Sequence, residues 1–356
     1  MAKGKAGNKE SDIETDDIIK ALEKQFGAGI FTTGAYVSER KRTIIPISPQ
    51  LDSITGGGIR EGSFIVSTGP PKIGKSSTAV DFGVSALNTP HPKYGDRNLY
   101  IFNIEGRLNP RDLRGINGMI KYLDDPTLVN RVIVVGSSAG NIKGGEEYLA
   151  IGEALINEKP GSIFLFDSFS QLCSSERRKN EIGKRFRDDM PLYLSDFCKR
   201  ISNVIPINDS IVIGITHRIA NQGQGHSPWV EASGQKVQYQ LDVKLRAMYE
   251  QPWKVGETQI GQDVHWECDA SPIGPPGRKC VSKLRYGHGL DKEAELAAMC
   301  VDLGLIKKGG AWYQILDSES KLQGMENVRD ALEADPELYK TLNDQFRTMM
   351  GFQNEG

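Results

Sequence analysis

Residues 69–76 read GPPKIGKS, directly after the apolar run Phe64-Ile65-Val66 and directly before a segment with helical spacing. Such a loop works only where a buried strand feeds a helix. Its glycines let successive backbone N–H groups turn inward and cradle phosphate oxygens at the positive end of the helix dipole. Gly69 and Gly74 supply the turn, Pro70, Pro71, Lys72, Ile73 and Ser77 complete the loop, Lys75 reaches the β and γ phosphates, and Ser76 presents its hydroxyl to Mg²⁺. With glycine at about 7% of average usage, the fixed positions coincide by chance in on the order of one chain in a hundred, and the flanking strand and helix lower that further. An ATP- and Mg²⁺-binding motor or switch is therefore expected.

The rest of the chain repeats the strand-then-helix pattern. Apolar runs at 64–67, 99–104, 132–135, 163–166 and 211–215 alternate with helical spacing at 76–87, 146–156 and 192–204. Strands apolar at consecutive positions are buried on both faces, which predicts an α/β fold with a mostly parallel, doubly wound sheet covered by helices. Further strand-like segments at 264–267 and 279–285 flank the Pro and Gly cluster at 272–277, and a small α/β unit follows: helical at 290–303, extended at 311–315, helical at 327–350. At the other end, residues 1–11 are polar and read as a disordered leader. Ile13, Ile18, Ile19, Leu22 and Phe26 then recur at helical spacing until Gly27 stops them. The expected organisation is a leader (1–11), an N-terminal helix and strand (12–45), a core (46–288), a C-terminal module (289–350) and a tail (351–356).

At 356 residues the chain can bury a large core and a smaller appendage. No apolar stretch approaches the roughly 20 residues that cross a bilayer, and the N-terminus is polar, so a cytoplasmic protein without a membrane partner is expected. Five scattered cysteines without CxxC spacing fit reduced thiols. The formal charge of −2 announces no polyanion, leaving that question to local runs.

Two more parts of a nucleotide site end apolar strands. IFLFD at 163–167 offers Asp167 as the carboxylate on the magnesium side, with Ser168 beside it. Apolar strands ending in Asp are common; the phosphate loop gives this one its meaning. YIFNIE at 100–105 offers Glu105 as the base that activates water, although a glutamate capping the next helix has the same pattern. The strand 211–216 ends at His217, which a satisfied strand-end histidine would equally explain.

The segment ALEKQFG at 21–27, the phosphate loop, Glu105 followed by Leu108-Asn109-Pro110, the Asp167-Ser168 strand end, and YGHG at 286–289 leading to GAWY at 310–313 resemble, in that order, the bacterial RecA recombinase family. The divergence between these islands is similar to that of phage UvsX-type members, and the resemblance spans roughly residues 15–350. It implies a RecA-type ATPase core that forms a helical filament on single-stranded DNA, pairs it with a homologous duplex and exchanges strands as it hydrolyses ATP. The implied partners are single-stranded DNA, homologous double-stranded DNA and further copies of the chain, with a single-strand-binding protein and a loading mediator beyond them. The implied location is the bacterial cytoplasm, or the host cytoplasm for a viral protein. Glu105 matches the family's catalytic glutamate and Asn109 its hydrogen bond to adenine. His217 stands where the bacterial proteins have a glutamine that senses the γ phosphate; histidine can donate the same bond with a pH-dependent charge. Ile18, Leu22, Phe26 and Tyr239 fall to contacts between subunits, though the helix could instead fold back on its own domain.

Two stretches lie where the family places its DNA-binding loops. The first, 176–187, carries Arg177, Arg178, Lys179, Lys184, Arg185 and Arg187 with Ile182 and Phe186 interleaved. Cations neutralise phosphates while apolar or aromatic groups wedge between bases or stack on them, although most charge runs are solvated helix faces. The second, 218–236, is Gly- and Gln-rich, begins at Arg218, ends at Lys236 and holds Trp229 as its stacking candidate. A structureless loop of this length is expected to be functional or disordered. Lys307 and Lys308 could guide duplex DNA, or simply sit at a helix end.

The chain also departs from the family. No lysines occur in 267–272, where the bacterial proteins have two that reach a neighbour's ATP; Arg278, Lys279 or Lys283 would have to serve. Asp112 stands in place of an adenine-stacking tyrosine, and the long acidic tail is missing. A ring helicase on the same core, or a recombination mediator that binds ATP as a switch without hydrolysing it, are the competing readings.

Overall fold

The computed structural model describes residues 8–183, 188–220, 229–231, 240–316, 318 and 320–352, of which 8–15, 219–220 and 229–231 are described by backbone alone. The chain forms two compact units, Met1–Lys41 and Arg42–Gly356.

In the first unit a helix runs Asn8–Phe26, so it begins inside the segment read as a leader; residues 1–7 lie outside the described residues. Ile18 and Phe26 are exposed on it and Leu22 is half-buried. A second helix, Gly34–Glu39, follows because the Thr33 hydroxyl accepts the Tyr36 N–H at 3.1 Å and caps its start. The strand expected in 12–45 is confined to β1 (Ile44–Ile45), which belongs to the second unit and pairs with β2 (Ile59–Arg60).

The second unit is built on β3 (Phe64–Gly69), β4 (Leu99–Asn103), β5 (Val132–Val135), β6 (Ile163–Asp167), β7 (Ile211–Ala220), β8 (Trp229–Glu231), β9 (Val243–Val255), β10 (Thr258–Ala270), β11 (Arg278–Arg285) and β12 (Gly289–Leu290). Among the described residues these form one sheet in the order β12-β11-β10-β9-β3-β7-β6-β4-β5, with β8 on β7. From β9 to β5 every pairing is parallel; β10, β11 and β12 extend the sheet antiparallel. The fold is the mostly parallel α/β core that the apolar runs predict, and β6 shows why. Its Ile163 and Leu165 enter one hydrophobic cluster with the helix Lys75–Leu87, while Phe164 and Phe166 enter the opposite cluster with Gly145–Glu158 and Met190–Ser202. Phe102 stacks on Phe166 at 4.2 Å between ring centres, which locks β4 to β6 in register.

The C-terminal module packs around Leu296, Ile306, Val328, Leu342 and Phe346. Its helix Lys292–Asp302 leads to a small sheet of β13 (Ile306–Gly309), β14 (Trp312–Ile315) and β15 (Leu322–Gln323). Two differences from the sequence expectation arise here. Leu290 belongs to β12, so the first helix starts only after Asp291 accepts the Ala294 N–H. The segment 327–350 is two helices, Met325–Ala334 and Pro336–Met349, because Pro336 cannot continue the first; Asp335 caps the second through the N–H groups of Glu337 and Leu338.

Buried polar groups join module to core. Glu295 accepts the N–H groups of Gln50 and Lys283 at 3.0 and 2.9 Å, and Arg347 reaches Asp52 and the Gly57 carbonyl, both at 2.9 Å. Burial pushes the Glu295 carboxyl up to about 7 against those hydrogen bonds. A folded pKa above the unfolded one adds stability that is complete below about pH 4.5 and is lost as pH rises through 7. Between pH 5 and 8 the protein should therefore lose up to about 3 kcal/mol through this group, and Glu295→Gln should flatten the dependence. Urea titrations of both proteins across that range check it; parallel pH slopes would refute it.

All five cysteines are free thiols, four of them buried. Among the described residues no helix is long and apolar enough to cross a membrane.

Candidate active site

The phosphate loop closes tightly against β9 and β11. Gly69 has φ 153°, and a Cβ there would lie 2.5 Å from the Ala247 carbonyl oxygen; at Gly74, φ 99°, it would lie 2.6 Å from Leu284 Cδ2. Both turns therefore require glycine. The helix begins at Lys75, whose buried ammonium donates to the carbonyls of Gly69 and Pro70 at 3.0 and 2.5 Å. Burial lowers its pKa to about 8, opposed by Asp167 and Glu105. Ile73 is wholly buried beneath the loop.

Asp167 ends β6 and is hydrogen-bonded to the Ser76 side chain; burial raises its pKa and that bond opposes the rise. A helix-start hydroxyl paired to a strand-end carboxylate is the donor set expected around a phosphate-bound Mg²⁺, which takes few protein ligands and keeps water. The residues fit that ion.

Two strands, β7 and β6, separate β3 from β4, yet Glu105 joins the site. Beyond Asn103 the chain folds over the end of β6, with the N–H groups of Ile104 and Glu105 both donating to the Asp167 carbonyl at 2.9 and 3.1 Å. Glu105 Oε1 then accepts from Ser168 Oγ at 2.8 Å and lies 2.9 Å from His217 Nε2. Burial alone would raise the Glu105 pKa, but the bonds from His217 and Ser168 and the charges of His217 and Arg107 outweigh it and hold the carboxylate below its usual range. The His217 N–H is itself anchored by Ser170 Oγ at 2.8 Å. Lys75, Ser76, Glu105, Asp167 and His217 thus line one cavity of about 750 Å³ at the carboxyl ends of the parallel strands. Such a cavity can hold a triphosphate with a base poised over its terminal phosphate.

The cavity also contains groups not anticipated from sequence: Arg107, Gln171, Gln262, Leu284 and Tyr286. Tyr286 opens the YGHG segment and carried a signal; Gln262, on an antiparallel strand nearly 190 residues from the loop, carried none. Asn109, expected at adenine, is the N-cap of the helix Pro110–Arg114: it accepts the Arg111 N–H while Asp112 accepts the Asn109 N–H. Asp112, not Asn109, lines the cavity.

Of the first basic stretch, Arg177, Arg178 and Lys179 lie on a short helix, Ser175–Lys179, with Arg177 3.5 Å from Asp188, and Ile182 beyond it is fully exposed. Lys184, Arg185, Phe186 and Arg187 lie outside the described residues. The second stretch is not structureless throughout. β7 runs on from His217 to Ala220 and pairs antiparallel with β8, placing Arg218 opposite Glu231 and Ala220 opposite Trp229. The Trp229 side chain, Lys236 and Tyr239 fall outside the described residues. Glu267 and Asp269 are bridged by Arg246 at 3.0 and 2.6 Å, Arg278 donates to the Ser53 carbonyl, Lys283 pairs with Asp263 at 3.0 Å, and Lys279 lies 3.6 Å from Glu267. Lys307 and Lys308 lie on β13 and, with Trp312 and Lys321, line a separate cavity of about 510 Å³.

The RecA C-terminal domain family matches residues 294–351, the module. Over 346 residues the chain is 25% identical to Protein RecA of Bacillus velezensis and of Bacillus subtilis, covering 96% of this chain and 93% of each of theirs. Protein RecA of Staphylococcus carnosus is 24% identical over 341 residues, with 94% and 90% covered. Nearly the whole chain is thus similar to RecA proteins. The RecA relationship covers the nucleotide core and the C-terminal module together, in one continuous order.

Proposed function

We propose that the protein is a DNA-dependent ATPase that forms filaments on single-stranded DNA and exchanges strands with a homologous duplex. The observation that carries this reading is the Ser168–Glu105–His217 arrangement facing Lys75 across the same cavity, on a strand that continues into the β7–β8 ribbon. Glu105 is held ionised and oriented to take a proton from water. Lys75 offsets charge on the phosphates, and Ser76 and Asp167 would hold Mg²⁺, which when bound neutralises charge developing on the transferred phosphoryl group. His217 ties the base to β7, so a change at the phosphate end can reach the ribbon three residues on. The basic helix Ser175–Lys179 and exposed Ile182 support backbone contacts that leave base edges free for complementarity to read.

Electron microscopy with ATP and single-stranded DNA tests this directly: helical filaments are expected, and closed rings would point to a helicase. For the coupling, His217→Ala should lose DNA stimulation of ATP hydrolysis by about tenfold, less than the roughly 10²–10⁴-fold of a general base itself, while nucleotide affinity stays within about threefold. Undiminished stimulation in that variant would remove His217 from the pathway.

A further inference from the structure

We propose that Arg107 is a second phosphate-contacting cation of this site, meeting the terminal phosphate of the nucleotide from the mouth of the cavity. The inference rests on the ATPase reading above and adds a residue to it.

Arg107 lies two residues after the base, and its backbone is fixed on both sides. Gly106, at φ 68°, donates to the Asn103 carbonyl at 3.3 Å, and the Leu108 N–H donates to the Asn103 side chain at 3.3 Å. This turn sets residue 107 against the cavity that Lys75, Glu105 and Asp167 line. Arg107 is exposed, and among the described residues its guanidinium makes neither a hydrogen bond nor an ion pair with a carboxylate. Of the other cations on this cavity, Lys75 is folded onto its own loop, Lys72 is exposed in the phosphate loop and Arg218 follows His217 on β7. The wall carries Glu105 and Asp167, so a triphosphate brought there adds negative charge that a further cation at the mouth can offset.

Chemistry says what the guanidinium would do. In hydrolysis the water oxygen bonds to the γ phosphorus, the bond from that phosphorus to the bridging oxygen breaks with its electron pair leaving on ADP, and the water proton passes to Glu105. The products are ADP and inorganic phosphate. Negative charge is redistributed over the γ oxygens and the bridge as this happens, and a planar fork of N–H donors can bind two such oxygens at once. Arginines at phosphoryl-transfer sites contribute about 10³–10⁵-fold when fully enclosed; for an arginine at an open mouth about 10–100-fold is expected.

The test uses the full-length chain with Mg-ATP and poly-dT. Arg107→Ala should lower kcat by about 10–100-fold with KM within about threefold, the pattern of a contact made mainly in the transition state. ADP affinity should not change, because ADP lacks the γ phosphate, and Arg107→Lys should recover only part of the rate. A wild-type protein that does not hydrolyse ATP overturns the ATPase reading itself. A hydrolysing wild type matched in kcat by Arg107→Ala overturns this inference alone. So does a rate loss in Arg107→Ala that vanishes as pH is raised, since that would mean the guanidinium acts only by keeping Glu105 ionised.

Discussion

Glu105→Gln is expected to lower ATP turnover by about 10²–10⁴-fold, the usual contribution of a positioned general base, with nucleotide affinity changed by no more than a few fold. Glutamine has the same length and offers an amide oxygen to Ser168 Oγ where the carboxylate now accepts at 2.8 Å, so the wall of the cavity should survive. What disappears is the proton acceptor. The measurement is steady-state ATPase with and without single-stranded DNA, paired with titration of a fluorescent ATP analogue. Retained turnover would strip Glu105 of its role; lost binding would mean that it holds the site together instead of acting on water. If the wild type turns over no ATP under any of these conditions, the switch-like mediator becomes the better account.

Arg347→Met is expected to cost about 3–5 kcal/mol of folding stability, the range for removing one partner of a buried ion pair. Arg347 is only 6% exposed, and its guanidinium binds Asp52 Oδ2 and the Gly57 carbonyl and lies over the Phe352 ring. Burial pushes the Asp52 carboxyl up to about 7 even with Arg347 beside it. Without that charge the carboxyl would be buried as the neutral acid, so the penalty should grow from pH 5 to pH 8. Adding Asp52→Asn keeps an acceptor for the Ile47 N–H, which Asp52 now binds at 2.8 Å, and should restore a good part of the loss. Urea denaturation of the single and double variants checks this; a single variant within about 1 kcal/mol of wild type would show that the Arg347–Asp52 pair contributes little to holding the module.

Much of the nucleotide site is written in short-range patterns. The phosphate loop, the two apolar strands ending in Glu105 and Asp167, and the strand ending in His217 are each readable because a buried strand demands a run of apolar residues and a turn demands glycine. The parallel class of the sheet follows from the same runs. Where two local signals compete, the pattern is harder to read: Pro336 divides what reads as one helix, and Asn109 also serves as a helix cap beside Asp112. The 218–236 stretch lacked apolar alternation, and its partial ribbon exists because β7 runs on past the edge of the core and finds β8 as a partner.

Residue types and their order along the chain were enough to settle that a strand–loop–helix phosphate cradle sits in a mostly parallel α/β core with carboxylates at neighbouring strand ends. Strand order settled which of those ends meet. Glu105 and His217 are 112 positions apart and touch because only β6 lies between β4 and β7 and the chain crosses the tip of β6. Gln262 and Tyr286 reach the same cavity from the antiparallel extension, and Arg347 closes on Asp52 across 295 positions. Hydrophobic periodicity records which face of an element is buried, whereas these encounters depend on which elements become neighbours, a property of the packed chain that no local repeat encodes.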